Sequence, residues 1–306
     1  MITNYKKGYF YLTFTIVLIS GMYLLTKLSI GHVNIDSFML VFFLSASAVG
    51  AFSTTLFVKT DLTGELRSHF LLILIISVLT IIGSYFLFLS VDRIGAAATS
   101  LLAKLQTVFA IIIGVLFLKE RFKNSSWMAL AIVISGSVMV VYKGGTFDFV
   151  GILWMIIFAV SNASQAYVIR RFSVSLDMMA VNVWRAFFIG IFFAATVLIK
   201  SNFDIPTIKL FLIIAMSGVM GGYLARGFSY LAFKYLPISM VTTMMNVESL
   251  LTVTLAAVFL NEHLNSVNLF GGAFMISGVV LLIFLERQNK SPKQQNNITA
   301  AHPIKK

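Results

Sequence analysis

The chain has 306 residues, of which 59% are hydrophobic and only 11% charged, and its mean hydropathy is +0.94. A water-soluble fold could not bury so much apolar surface, so the composition excludes an ordinary soluble domain. The absence of cysteine excludes disulfides, thiol nucleophiles, iron–sulfur clusters and thiolate zinc sites, and the 4 histidines show no metal-ligand spacing.

Ten apolar runs are long enough to cross a bilayer, for which a helix needs roughly 20 residues. In chain order the predicted spans are 8–28, 37–58, 69–91, 95–118, 125–142, 149–169, 178–200, 207–233, 237–260 and 266–286. The first run follows Lys6 and Lys7 but lacks a small-residue cleavage site, so we interpret it as a retained helix and not as a signal peptide. The sequence therefore predicts an all-α, polytopic membrane protein.

Basic residues orient these spans, because Lys and Arg accumulate in short cytoplasmic loops. Of the 23 Lys and Arg residues, fifteen lie in loops or at span ends on one side of the membrane, five lie in loops or at span ends on the other side, and three lie well inside spans. This distribution explains the net charge of +12 better than nucleic-acid binding does, since the basic residues alternate with apolar runs. We expect both termini to be cytoplasmic and the protein to lie in the cytoplasmic (inner) membrane.

The second half of the chain repeats the first. A constant offset of 142 residues lays 98–141 on 240–283 without gaps, and places Glu120 on Glu262 and Gln106 on Glu248. We divide the chain into repeats at 1–146 and 147–286, followed by a disordered cytoplasmic tail at 287–306. Each repeat holds five spans, an odd number, so the second must enter the membrane from the opposite side and form an inverted repeat.

Two helix ends carry a resemblance to a known family. The segments Leu-Phe-Leu-Lys-Glu-Arg-Phe (116–122) and Val-Phe-Leu-Asn-Glu-His-Leu (258–264) are each followed by a helix that contains Ile-Ser-Gly, at 134–136 and 276–278. The chain in this respect resembles the EamA branch of the drug/metabolite transporter superfamily over residues 8–286. The resemblance implies a ten-helix fold with a central cavity and solute movement without ATP hydrolysis. Members commonly carry Pro fourteen residues before the loop Glu, where this chain has Gln106 and Glu248.

Four ionisable side chains fall well inside predicted spans, away from the span ends: Lys104, Arg185, Arg226 and Glu248. Each costs about 2.5 to 3.5 kcal/mol on insertion scales, so we expect them to be used in function. Lys104 and Glu248 occupy nearly equivalent positions of the two repeats and are predicted to form a charge pair, either as a structural bridge or as a substrate or proton site. Arg185 and Arg226 could bind a carboxylate or phosphate, or could instead cap carbonyl groups or pair with Glu248.

Uncharged polar side chains lie around these four groups and could orient a solute by hydrogen bonds. Those predicted to bind substrate are Gln106, Asn246, Tyr85, Tyr230, Asn162 and Gln165. Any one of them could equally tie two helices together. Lys104 and Gln106 point about 200° apart on an ideal helix, so they are not expected to face one narrow cavity together.

The sequence favours a secondary transporter of small metabolites, with zwitterionic or anionic solutes such as amino acids, because three of the four charges in spans are positive. Glu248 is the expected proton-coupling group, and homodimer formation is left open. We expect no cofactor, no metal, no nucleic acid and no catalysis, since the nucleotide-binding, nucleophile-elbow and zinc-protease motifs are all missing. A channel, or a membrane-embedded enzyme acting on lipid-linked substrates, remains an alternative.

Overall fold

The structure is a computed structural model in which helices dominate. It describes residues 2–58, 60–118, 124–143, 146–172, 176–201, 203–236, 244–262 and 264–288. The predicted tail at 287–306 thus falls almost wholly outside the described residues, as does Glu120. The only strands in the described part are two residues long each, and β1 (Tyr142–Lys143) pairs antiparallel with β2 (Thr146–Phe147).

The helices follow the predicted spans closely. They are α1 Ile2–Ile30, α2 Ile35–Ser53, α3 Leu62–Ile94, α4 Ala96–Leu102, α5 Leu105–Leu118, α6 Asn124–Val140, α7 Phe149–Phe172, α8 Met178–Lys200, α9 Ile208–Ser217, α10 Ala225–Tyr235, α11 Asn246–Leu260 and α12 Ser266–Gln288. Two π-helical segments adjoin them, Thr54–Val58 after α2 and Gly218–Leu224 between α9 and α10.

Eight helical stretches in the described residues are long and apolar enough to cross a membrane. The apolar parts of α6 and α11, at the fifth and ninth predicted spans, are shorter, Trp127–Val140 and Asn246–Leu260. Large apolar side chains cover the outside of the bundle, for example Leu71, Phe270 and Ile208, as expected where lipid tails are the solvent. The multi-pass membrane fold is confirmed, while the predicted number of ten full crossings is not confirmed by the described residues.

The fourth and eighth predicted spans are interrupted, which the apolar runs did not indicate. A non-helical step at Ala103–Lys104 separates α4 from α5, and a π-helical segment joins α9 to α10. Hydropathy averages over about 19 residues and is blind to the backbone hydrogen-bond pattern, so it reads each of these as one helix. Interruptions of this kind are frequent at functional sites.

Helix packing repeats itself between the two halves. α2 packs on α8 and α6 packs on α12, which are the equivalent helices of the two repeats. The contact of α3 with α7 corresponds to that of α10 with α1, and the contact of α5 with α7 corresponds to that of α11 with α1. The packing therefore has the two-fold pattern that a two-repeat membrane fold requires.

Glycine allows the closest of these approaches, between α6 and α12. A Cβ atom at Gly136 would lie 2.6 Å from the Met275 nitrogen and 2.7 Å from the Gly271 oxygen, so no larger residue fits there without moving a backbone. Small residues at a helix contact let dispersion forces act over a long interface, which is the main attraction available between helices in lipid. Gly271 and Gly278 of α12 are equally close to α6, where a Cβ atom would lie 2.5 Å from the Met139 Cβ and 2.8 Å from the Val133 Cγ2 respectively.

Candidate functional site

The fourth and ninth spans change their hydrogen-bond pattern at equivalent positions. The Gln106 amide donates to the Ala103 carbonyl over 3.2 Å, and the Glu248 amide donates to the Met245 carbonyl over 3.3 Å. Both are bonds from residue i to residue i−3, tighter than the α-helical pattern, and the two pairs are related by the repeat offset of 142. Each repeat thus has a locally tightened helix backbone at the equivalent position.

The predicted charge pair lies between these two places. The Lys104 Nζ is bonded to Glu248 Oε2 and also donates to the Met245 carbonyl over 3.0 Å. Both side chains are buried, with exposed fractions of 5% and 4%. The pair links the fourth span of the first repeat to the ninth span of the second, and neither charge is left without a partner.

The remaining oxygen atoms of Glu248 are also paired. The Thr252 hydroxyl lies 3.2 Å from Glu248 Oε1, and the Ser20 hydroxyl donates to the Glu248 carbonyl over 3.1 Å. The Tyr23 ring, buried in α1, is near enough to the carboxylate to interact with it electrostatically. We refer to Lys104, Glu248, Ser20, Tyr23 and Thr252 as the lysine–glutamate centre.

An amide pair occupies the equivalent place in the other half. The Asn162 Nδ2 of α7 donates to Gln106 Oε1 of α5. The offset that relates Gln106 to Glu248 also relates Ser20 to Asn162, so the amide pair is the uncharged counterpart of the contact between Ser20 and Glu248. Lys104 and Gln106 point to different helices, as the helical geometry predicted.

Arg185 lies at a second buried place, between α8 and the π-helical segment of the eighth span. Its Nη2 donates to Asn182 Oδ1 over 2.7 Å and to the Gly222 carbonyl over 3.0 Å. Arg226 and Tyr230, one turn apart on α10, are close enough to interact electrostatically with the Arg185 guanidinium. We refer to Asn182, Arg185, Gly222 and Arg226 as the arginine centre.

Three predicted site residues lie elsewhere or serve packing. Gln165 ties α7 to α3 through the Thr80 hydroxyl, and the Tyr85 ring stacks on Phe193 of α8 with centroids 6.4 Å apart. Asn246 begins α11 and is buried, with 6% of its surface exposed. The predicted residues therefore divide between the lysine–glutamate centre, the amide pair, the arginine centre and these other positions, of which Asn246 directly follows the Met245 carbonyl that Lys104 binds.

Helix α1 contacts both charged centres. Ser20 and Tyr23 belong to the lysine–glutamate centre, and the Met22 side chain lies against Gly221, next to the Gly222 carbonyl that Arg185 binds. The Thr26 hydroxyl is bonded to Ser217 over 2.9 Å, one residue before the π-helical segment. Sequence reasoning missed Ser20, Tyr23 and Thr252 because isolated hydroxyl groups are common ties in membrane helices; the repeat offset from Asn162 would have indicated Ser20.

Glu262 caps a helix of the other repeat. Its two carboxylate oxygens accept hydrogen bonds from the backbone amides of Ala96 and Ala97, both over 3.1 Å. These amides lie at the first turn of α4, which follows Gly95 at φ +89°. A carboxylate stabilises this helix end because the unpaired amides and the helix dipole are both positive there. The cap therefore joins the two repeats.

Comparisons with known proteins agree with this architecture. The sequence model described as "EamA-like transporter family" matches the chain twice, at residues 6–142 and 149–284. No curated protein matches the chain. A solved structure described as "Crystal structure of protein" is 16% identical, with a TM-score of 0.68, and the match covers 94% of this chain and 99% of that one. At that identity the likeness shows the fold alone.

Proposed function

Because the chain belongs to the EamA-like transporter family, we propose that it is a secondary transporter that moves small zwitterionic or anionic metabolites, such as amino acids, by alternating access. The family and the membrane fold establish a transporter-type protein in contact with lipid. The solute class, the mechanism and the orientation in the membrane are our proposals, and they rest on the charged centres.

One observation carries the mechanism: an ion pair joins the two repeats where both of their helices are locally tightened. Lys104 reaches across to Glu248 and to the Met245 carbonyl of the ninth span. Transporters built from repeats place solute and ion sites at the repeat interface, on interrupted helices, and move one repeat against the other. A contact that spans the interface is made in one arrangement of the repeats and broken in another.

Breaking this pair would free the Glu248 carboxylate to take up a proton. While Lys104 and Thr252 hold both of its oxygen atoms, the carboxylate has its charge and its hydrogen bonds satisfied. A carboxylate that loses its cation in a buried place is stabilised by protonation, because an unpaired charge is costly there. We therefore propose Glu248 as the group that couples solute movement to a proton.

We propose that both termini are cytoplasmic, on the distribution of basic residues between the loops. Reporter domains fused at Lys143 and at Lys306 should then report opposite sides of the membrane, because five predicted spans separate the two positions. Reporters that are active on one side of the membrane only, an alkaline phosphatase outside the cytoplasm and a fluorescent protein within it, make the measurement. The same side for both fusions would contradict the inverted repeat.

Uptake into liposomes tests the function itself. Purified protein should accumulate at least one radiolabelled amino acid or organic acid against its own gradient when a proton gradient is imposed, and the rate should saturate with solute concentration. Empty liposomes give the background. Flux that stays downhill and does not saturate would instead identify a channel.

A further inference from the structure

Two of the nitrogen donors of Arg185 have no hydrogen-bond acceptor among the described residues. Its Nη2 makes both of its bonds, to Asn182 and to the Gly222 carbonyl, whereas Nε and Nη1 are buried and have no hydrogen-bond partner among the described residues. Only 2% of the residue is exposed. Buried polar groups are nearly always paired, so donors left open at such a depth indicate that a partner is missing.

The charge of Arg185 is also uncompensated. In the part of the chain that the structure describes, no carboxylate lies within ion-pair distance of its guanidinium. Arg226 adds a second positive charge nearby and repels the first. An unpaired charge in the membrane interior is costly, and a bound anion would remove both the cost and the repulsion. The lysine–glutamate centre has no such need, because each of its charges already has a partner.

We infer that Arg185 binds an oxyanion, the carboxylate or phosphate of the solute, and that the oxyanion takes the place of the Gly222 carbonyl. This inference rests on the proposed transport function and names the group that recognises the solute. A guanidinium holds an oxyanion best through two parallel N–H bonds. Nη2 belongs to both edges of the guanidinium that offer such a pair, so a two-point contact displaces Asn182 or Gly222 from it.

Gly222 is the partner that leaves, because its carbonyl has an alternative. It lies in the π-helical segment, whose bonds run from residue i to i−5; the Ala225 amide, for example, donates to Met220. If this segment becomes α-helical, the Gly222 carbonyl accepts from the amide of Arg226 instead. Asn182 keeps its place beside Arg185, because both residues lie on α8, three residues apart.

The replacement of the Gly222 carbonyl by an oxyanion affects other helices through Tyr223. Its hydroxyl is bonded over 2.8 Å to both Ser53 and Thr54, where α2 passes into its own π-helical segment. Gly218, at the start of the segment in the eighth span, packs directly on the Phe42 carbonyl of α2. A change in the helical pattern of 218–224 must therefore move the contact between α2 and the eighth span. Solute recognition and the movement of one repeat against the other become the same event.

Thermal unfolding of the detergent-purified chain measures the binding. Succinate, inorganic phosphate and L-alanine are the probes, with putrescine as the cation of similar size; an anion that binds the native state raises the unfolding temperature with its concentration. At least one oxyanion should stabilise the protein, and putrescine should not. Arg185→Gln should weaken the apparent affinity by roughly 10- to 150-fold, the value of a charged hydrogen bond. Arg67→Gln, which alters an exposed arginine at the start of α3, should leave it unchanged.

Hydrogen exchange tests the displacement of Gly222. The stabilising oxyanion should change amide exchange within residues 218–227 in the wild type. Arg185→Lys keeps the positive charge without the paired N–H bonds, so it should bind at least about tenfold more weakly and show no such change. This variant also carries the test if Arg185→Gln does not fold.

The inference is overturned if no oxyanion stabilises the wild type, if Arg185→Gln or Arg185→Lys binds as tightly as the wild type, or if exchange at 218–227 is the same with and without the anion. These results are independent of transport. If stabilisation depends on Arg185 but the protein moves no solute into liposomes, the transport proposal is rejected and the anion site stands. If Arg185→Gln takes up solute as the wild type does, the transport proposal stands and the anion site is rejected.

Discussion

Replacing Lys104 by Met should lower the free energy of unfolding by roughly 3 to 5 kcal/mol at neutral pH, the cost of removing one partner from a buried ion pair. The Lys104 side chain is 5% exposed and its partner Glu248 4% exposed, so water cannot take over the role of the ammonium group. The loss should be smaller at acid pH, where protonation removes the uncompensated carboxylate charge. Denaturation of the purified protein in micelles, over a range of pH, measures both.

Lys200 offers the matched control for this variant. Its ammonium is 2.6 Å from the Asp36 carboxylate, which is 7% exposed, whereas the Lys200 side chain itself is 53% exposed. Solvent therefore screens this pair from the lysine side, and Lys200→Met should cost less than Lys104→Met. The double variant Lys104→Met, Glu248→Gln should regain much of the lost stability, since no charge is then left unpaired. Equal losses of unfolding free energy in Lys104→Met and Lys200→Met would show that the Lys104–Glu248 pair stabilises the fold no more than the Lys200–Asp36 pair does.

The features that the sequence predicted correctly are those that depend on composition over many residues. Every predicted span has a helix at its place, because about 20 apolar residues in sequence have few other stable conformations in a bilayer. The pairing of Lys104 with Glu248 was also predictable, because the repeat offset put them at nearly equivalent positions and opposite buried charges must pair.

The features that the sequence did not predict depend on single hydrogen bonds. Nothing in the run 207–233 distinguishes the π-helical segment Gly218–Leu224 from an α-helix except its glycines, and glycine in membrane helices usually indicates close packing. The step at Ala103–Lys104 leaves no composition signal either. Arg185 and Lys104 both bind backbone carbonyl groups near helix irregularities. Because the sequence did not predict the irregularities, it did not predict these carbonyl partners either.

The division of the predicted site residues has a physical consequence. Lys104 and Glu248 neutralise each other, while Arg185 and Arg226 have an excess of positive charge. In the mechanism that we propose, a solute anion is therefore attracted to the arginine centre, and the lysine–glutamate centre responds to protons and to movement of the repeats. Helix α1 contacts the lysine–glutamate centre through Ser20 and the π-helical segment that carries Gly222 through Met22, so it links the two places directly.

Glu248→Gln should abolish proton-driven accumulation of solute while leaving downhill exchange in place. The amide has nearly the shape of the carboxylate but does not take up a proton, so a cycle that depends on Glu248 loses its coupling and not its solute site. Transport in liposomes, with and without an imposed pH gradient, separates accumulation from exchange. The pH dependence of exchange should disappear as well, since Glu248 is the sole acidic side chain well inside a span in the described residues.

Loss of stability alone must be distinguished from loss of coupling, because Glu248→Gln leaves Lys104 without its anion. The double variant Lys104→Met, Glu248→Gln removes both charges and is expected to fold, so it should show the same uncoupled exchange as the single variant. Asp36→Asn breaks the ion pair with Lys200, whose side chain is 53% exposed, and should retain full coupling. Proton-driven accumulation that persists in Glu248→Gln at the wild-type level would exclude this carboxylate from the coupling mechanism and leave it as a structural link between the fourth and ninth spans.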